Sequence, residues 1–453
     1  MNREAEEEHR VERLEALHDA LERDALEKVR ELIRDLHPAE AALLLESLPH
    51  KERDIVWEQI DEEQHTDVLA EAGDEVRASR MLQMAPEQLA AAALELDADD
   101  AVDILQDLPE RVIEEVLLAM DEQNRRRLEG ALVYPEDTAG GLMNIDTITV
   151  RGDVTLGVVL RFLRRKGDIP KKMESLVVVD RDNRYQGMLP ITRLLTQEPQ
   201  LKVVDVMDRD IKGIPATTAD SEVAKLFEQR DLISAPVVDD EGVLLGHIFI
   251  DDVVDVIRNE GEHSFMSMAG LDEEVDMFAP IGITARRRSL WLGVNLATAF
   301  IAAWVIGLFE ATIGQVVALA VLMPVVASMG GIAGTQTLTV VIRGMALGQL
   351  GQRNAGWLLA KELLVGLINS LFWALVVALV AVVWFDNTKL GIIVAVALVV
   401  NLVVAAISGA LIPLILRRFS VDPALAGGVI LTTVTDVVGF MTFLGLGTLF
   451  LLG

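Results

Sequence analysis

The hydrophobic pattern divides the chain into three textures. Up to about residue 136, apolar positions recur at helical spacing in a background of Ala, Leu and Glu, with few β-branched runs. From Thr147 the period shortens. "SLVVVDRDNRYQGML" and "APVVDDEGVLLGHIFI" each read as strand, polar turn, Gly and strand, and each is followed by a helical segment. Beyond Ser289 polar positions become rare. Uncharged stretches long enough for a membrane span of ~20 residues predict five helices: Ser289–Phe309, Ala311–Ile342, Leu363–Phe385, Leu390–Leu416 and Ala424–Leu452. The second is longer than one span needs, and the fifth carries a single charge, Asp436.

Two internal repeats follow. "HPAEAALLLESLPHKERDIVWEQID" matches "DADDAVDILQDLPERVIEEVLLAMD" sixty residues later, each with an apolar run, a Leu-Pro stop and a final Asp. This predicts stacked helix pairs. The strand modules repeat more closely, Asp180 and Gly187 in one matching Asp239 and Gly246 in the other. The domains expected are therefore an all-α, acidic N-terminal domain (1–136), an α/β pair (137–260), a connecting helix (261–285) and a five-helix membrane domain (286–453).

Charge sharpens this division. The 453 residues carry a formal charge of −30, yet 51% are hydrophobic. From Arg286 onward there are nine Lys and Arg and five Asp and Glu; the first 285 residues hold 31 and 65, a net −34. So acidic a portion argues against nucleic acid, whose phosphates want Lys and Arg, and suits cations. The absence of cysteine excludes disulfides and thiolate metal sites. The charged start "MNREAEEEHRVERLEAL" has no apolar core, so the first membrane helix is expected to direct insertion. Arg286–Arg288, then Arg343, Arg353 and Lys361, then Arg417 and Arg418 fall in alternate loops; the other loops hold Glu310, or Asp386 with Lys389. The positive-inside rule puts the N-terminus and the acidic domains in the cytoplasm and the C-terminus outside.

Asp436 is the chemically awkward residue. It lies ~18 Å along its helix at ~1.5 Å per residue, near the middle of a ~30 Å hydrocarbon core. An acid there costs ~2.5–3.5 kcal/mol on insertion scales. Gly428, Thr432, Asp436 and Gly439 share one small, polar face. One reading is an Asp satisfied by Asn295, Gln336, Asn369 or Asn401 from another helix; the other is a cation pathway, since no positive residue lies well inside a span. Carboxylate, hydroxyl and carbonyl oxygens suit Mg²⁺ or Ca²⁺, and two chains would supply two carboxylates. In the second span, "PVVASMGGIAGTQTLTVVIRG" contains Pro324, Gly330, Gly331 and Gly334. It reads either as a small-residue packing face or as a broken or closely packed helix beside a pore.

The domain order, together with "MGGIAGTQTLTVVIRG" and "DPALAGGVILTTVTDVVG", resembles the MgtE family of magnesium channels over essentially the whole chain. The strand modules are similar to cystathionine-β-synthase (CBS) modules. The resemblance implies a homodimer in the lipid bilayer of the inner membrane, with a pore lined by the second and fifth helices of both chains. It places the family's pore acid on Asp436, its entrance acid on Asp422 and the acid closing the first span on Glu310. It implies transported and regulatory Mg²⁺, the latter bridging acids at positions matching Asp231, Asp252, Asp255 and Glu260 and closing the pore. Departures are Ile332 where many members have Asn, Gly428 and Val429 where some have Asn and Pro, and His263 and Ser264 at positions often acidic. The nucleotide motif is also incomplete: "PITR" has Arg193 in place of Asp, and "FIDD" has Phe249 in place of a hydroxyl, which argues against ATP. Transport of Co²⁺ or another divalent ion, a carrier mechanism, and a membrane-anchored CBS sensor are the competing readings. No nucleophile, phosphate-loop or His-rich metal pattern suggests an enzyme.

Overall fold

The structure, a computed structural model, describes residues 3–167, 173–271, 277–279, 281–351, 354–419 and 421–452, with side chains from residue 12 onward except those of 74 and 75. The chain divides near Gly261 into two compact units.

The first unit begins with ten helices, α1 (Arg3–Glu22) to α10 (Glu122–Ala131). The sixty-residue repeat is structural. Helices α3 (Pro38–Glu46) and α4 (His50–Trp57) recur as α8 (Ala98–Gln106) and α9 (Glu110–Ala119), and the Leu-Pro stops place Pro49 and Pro109 at the N-caps of α4 and α9. Proline fits there because a helix start needs no N–H from it. The buried positions repeat too: Ala41 and Ala101, Leu45 and Leu105, Leu48 and Leu108, Val56 and Val116. Aspartate 121 caps α10, its carboxylate accepting from the N–H groups of Gln123 and Asn124.

The α/β part contains two three-stranded sheets of identical design. In the first, β1 (Thr149–Arg151) runs parallel to β2 (Ser175–Val179), and β2 is antiparallel to β3 (Tyr185–Pro190). In the second, β4 (Ile214–Pro215), β5 (Ser234–Val238) and β6 (Leu244–Phe249) repeat this order. Sequence repetition becomes turn geometry here. Asp180 Oδ1 accepts from the N–H groups of Asp182 and Arg184, and Asp239 Oδ1 from those of Glu241 and Val243. Both are Asx-type turns. Gly187 and Gly246 allow close approach: a Cβ would lie 2.4 Å from the Asp208 carbonyl oxygen in one and 2.7 Å from that of Asn144 in the other. The last helix of this part, α15, runs from Ile250 to Met268, so the boundary expected at 260/261 falls inside a continuous helix. Gly261 does not interrupt it, having neither proline's missing N–H nor a positive φ there. Of the expected connecting helix, residues 272–276 and 280 lie outside the described residues, and 281–285 open the first membrane helix.

The second unit contains five helices long and apolar enough to cross a membrane. They are α16 (Ile281–Gly307), α18 (Val317–Ala346), α19 (Ala355–Phe385), α20 (Thr388–Arg418) and α21 (Pro423–Gly447), the last extended by a wider turn to Leu452. The overlong second stretch resolves into a short helix, α17 (Glu310–Gln315), and α18. Val316 breaks the run with φ −127° and ψ 79°. Helix α18 itself is continuous through Pro324 and the glycines. Arg343, Arg417 and Arg418 sit in last helical turns, where cations also complement the helix dipole. Arg353 lies outside the described residues.

Helices α18, α20 and α21 meet through small residues. A Cβ on Gly409 would stand 2.6 Å from the Gly334 carbonyl oxygen and 3.0 Å from Thr337 Cβ. Backbone cannot yield as a side chain does, so Gly409→Ala is expected to force α20 from α18 at a cost of about 1–3 kcal/mol. Thermal unfolding in detergent checks this: Gly409→Ala should melt earlier, while Gly293→Ala, whose Cβ would meet nothing within 4 Å, should not.

Candidate functional site

The polar face predicted around Asp436 opens onto a groove of about 450 Å³. Helix α18 contributes two adjacent rows at i, i+4 spacing: Ala327, Gly331 and Thr335 in one, Ser328, Ile332 and Gln336 in the other. Helix α21 contributes Thr432 and Asp436. The Asp436 carboxylate is half-buried and has no hydrogen bond or ion pair among the described residues. None of Asn295, Gln336, Asn369 and Asn401 bonds to it. Asn401 instead donates from Nδ2 to the Val326 carbonyl oxygen at 2.8 Å.

The threonines of α21 are used locally. Thr432 Oγ1 donates to the Gly428 carbonyl oxygen at 2.9 Å, and Thr433 Oγ1 to that of Val429 at 2.8 Å. This back-bonding fixes the hydroxyl proton on the helix. The lone pairs of Thr432 then remain toward the groove, so the wall beside the carboxylate presents acceptors. Acceptor oxygens and one carboxylate suit a hard cation, bare or through its water.

The glycine motif of α18, which is an unbroken helix, divides between packing and the groove. Gly331 faces open space, whereas a Cβ on Gly330 would come within 2.3 Å of Asn401 Nδ2 and one on Gly334 within 2.8 Å of Leu431. Gly331 is thus a groove residue, and Gly330 and Gly334 are packing residues. On α21, Gly428 also faces open space, but Gly439 turns away from the groove against Asn401, 2.8 Å from a Cβ position. Ser328, Thr335 and Gln336 complete the wall; the signal available in the sequence was i, i+4 spacing, of Thr335 from Gly331 and of Ser328 and Gln336 from Ile332.

The other acids stand apart from this groove. Asp422 is the N-cap of α21, accepting from the N–H groups of Ala424 and Leu425 at 2.9 and 3.1 Å, and its Oδ2 lies 3.5 Å from His263 Nε2. Glu310 opens α17 and is exposed. In the first unit Asp231 ends a helix in the left-handed region, Asp252 accepts from the Phe249 N–H, Asp255 pairs with Arg258, and Glu260 lies further along α15. These four do not form a common cluster among the described residues. Asp97, Asp99 and Asp100 do, with carboxylate oxygens within 4.8 Å of one another. Their composition, "DADD", is visible in the sequence, but their setting is tertiary. Asp99 is buried and accepts from Asn144 Nδ2 at 3.0 Å.

Comparison with known proteins bears on the whole chain. A family model described as "Divalent cation transporter" matches residues 323–446, one for the MgtE intracellular N domain matches 36–137, and CBS models match 139–198 and 203–259. The magnesium transporter MgtE of Thermus thermophilus is 30% identical over 442 residues, covering 96% of this chain and 98% of its own. The chain belongs to the MgtE family. The magnesium transporter MgtE of Bacillus subtilis is 28% identical, over 93% of this chain and 94% of its own length. Among solved structures, the cytosolic domain of the Mg²⁺ channel MgtE in complex with ATP is similar at 30% identity and a TM-score of 0.48, over 54% of this chain and 99% of that one. The groove of α18 and α21 therefore lies within the part of this MgtE-family chain that the transporter model matches.

The acidic cluster generates a pH dependence. Burial, with Asp100 and Asp97 alongside, pushes the Asp99 carboxyl up to about 7. Burial, with Glu136 adding to it and Arg77 opposing, pushes Asp103 up to about 8. In the unfolded chain both titrate near ~4. Between those values the unfolded state binds fewer protons, so stability falls as pH rises. Burial pushes His247 down to about 4, which acts in the opposite sense only below its ordinary value of ~6.5. Protease resistance of the helical domain in chelator-containing buffer should therefore fall from about pH 6.5 to 8.5. Asp99→Asn with Asp103→Asn should flatten that fall.

Proposed function

We propose that this chain transports Mg²⁺ across a membrane along the α18–α21 groove, with Asp436 as the charged ligand. The observation that carries the reading is a membrane-depth carboxylate with no hydrogen-bond or ion-pair partner among the described residues, lining one groove with hydroxyl and amide groups of a second apolar helix. Its relatives named magnesium transporters span nearly the same length. Mg²⁺ sheds water reluctantly, so Thr432, Thr335 and Gln336 act on its hydration shell while Asp436 supplies charge. Two copies around a two-fold axis would set two such walls face to face, giving a pore with a pair of carboxylates. The open space at Gly331 and Gly428 supports a wall shaped to admit a large hydrated ion.

The pathway runs from a cytoplasmic N-terminus to an external C-terminus in the cell membrane, following the Arg-rich ends of α16, α18 and α20. Asp422 marks the cytoplasmic end and Glu310 the external one. Intracellular Mg²⁺ closes the pathway by bridging acids of the first unit, among them Asp231, Asp252, Asp255 and Glu260. The charge of −34 over the first 285 residues makes their compact form favourable only when cations screen it. Differential binding of Mg²⁺ to compact and loosened forms then sets the gate. Helix α15 supports this coupling, because one continuous helix carries Asp252, Asp255 and Glu260 and runs on to Met268.

Purified protein in liposomes tests the pathway. Asp436→Ala should abolish Mg²⁺ flux while the protein remains folded and dimeric; wild-type flux in that variant would remove Asp436 from the pore. For the gate, Asp252→Asn with Asp255→Asn should raise the Mg²⁺ concentration that protects the first unit from protease. Protection at the wild-type concentration would exclude those two acids from the sensor.

A further inference from the structure

The buried polar group behind the groove is Asn401. It lies on α20, is fully inaccessible, and is enclosed by the two helices that form the groove. A Cβ on Gly330 of α18 would meet its Nδ2 at 2.3 Å, and one on Gly439 of α21 would meet it at 2.8 Å. Glycine at both positions is what lets an amide fit between the helices. Nδ2 donates to the carbonyl oxygen of Val326, which also fixes which end of the amide is nitrogen, since a carbonyl only accepts. The bond does not repair the Pro324 break, because the carbonyl that proline leaves free is that of Ala320. The Asn401 Oδ1 is buried without a partner.

An unpaired buried acceptor is unfavourable, and an apolar residue of similar volume would avoid it. Packing alone therefore does not account for an amide here. Its donor does. Val326 and Gly330 form one i, i+4 row of α18; the groove row of Ala327 and Gly331 lies next to it, and that of Ser328 and Ile332 on the far side of the helix. Holding Val326 from behind fixes the rotation and height of α18. Gly439, one turn beyond Asp436, rests on the same amide and fixes α21 against it.

We propose that Asn401 is the positioning residue of the ion pathway. Wedged between Gly330 and Gly439 and bonded to Val326, it sets the spacing of α18 from α21 at the level of Asp436, and so the size of ion or hydration shell the groove accepts. This rests on the transport reading of the groove. Asn401 touches no ion; it acts through the walls.

Two perturbations move the wedge in opposite senses. Asn401→Ala lets α18 and α21 close together, and Gly439→Ala drives them apart. Each should change the ratio of Mg²⁺ to Ca²⁺ flux in liposomes by about tenfold, as small misplacements of working groups do, with opposite directions for the two. Combining them should restore part of the ratio, because the alanine methyl fills the space the amide left. Asn401→Leu, which keeps volume and loses the donor, should alter the ratio without lowering the melting temperature. An unchanged ratio in both Asn401→Ala and Asn401→Leu, or a double variant no better than Gly439→Ala, overturns the proposal. A structural readout separates this from the transport reading. The chain has no cysteine, so a Ser328→Cys, Thr432→Cys pair reports the groove width through crosslinkers of graded length. The preferred length should shift in Asn401→Ala; the same length in both backgrounds refutes the wedge even if no flux is measurable in any variant, an outcome that would count against transport instead.

Discussion

A carboxylate in hydrocarbon needs a counter-charge, and among the described residues no side chain supplies one to Asp436. No described Lys or Arg lines the groove; Asn401 is engaged with Val326, and Gln336 shares the groove without bonding to the carboxylate. The groove hydroxyl on the same helix, Thr432, has committed its proton to that helix. Around Asp436 there are acceptors and open space, a combination that favours water and a cation over any protein contact. Gly331 of α18 and Gly428 of α21 leave that space open, while Gly330 and Gly439 close on Asn401 behind it.

The closed side explains why part of the glycine motif was legible and part was not. The face of α21 carrying Thr432 and Asp436 follows from i, i+4 spacing within one helix, so the sequence alone identifies it. Gly330 and Gly331 are neighbours in sequence, yet one packs on Asn401 and the other faces the groove. Only the position of α20 separates them. Gly439 shares the angular position of Asp436 but is claimed by the same amide. Likewise, hydropathy runs straight through Val316, because a chain break made by backbone torsion leaves no mark on composition.

In the first unit, local chemistry was equally readable and tertiary placement equally hidden. The sixty-residue helix repeat and the paired strand modules survive folding with matching caps, turns and buried positions, because each is specified by contacts a few residues apart. Asp180 and Asp239 were legible as equivalents; their service to turn N–H groups is the reason they recur. Of the regulatory acids carried over from the family resemblance, Asp252, Asp255 and Glu260 are strung along α15 and Asp231 ends an earlier helix, and among the described residues the four do not cluster. The acids that do converge, Asp97, Asp99 and Asp100, sit at the start of α8, where burial, with Asp100 and Asp97 alongside, makes the Asp99 carboxyl costly to ionise.

On the proposed function, the two acidic regions obey opposite requirements. A pathway must hold an ion strongly enough to draw it in and weakly enough to let it leave. One carboxylate per chain, with hydroxyls that accept and an apolar Ile332 in the wall, meets that condition. Adding a second acid to the same helix face would deepen the well and slow release. A concentration sensor has no such limit, since it must stay occupied while the ion level is high, and many carboxylates serve it better than one. On the proposed function, that difference fits the charge distribution: −34 over the first 285 residues, where ions would be retained, and a single acid in the middle of α21, where they would pass.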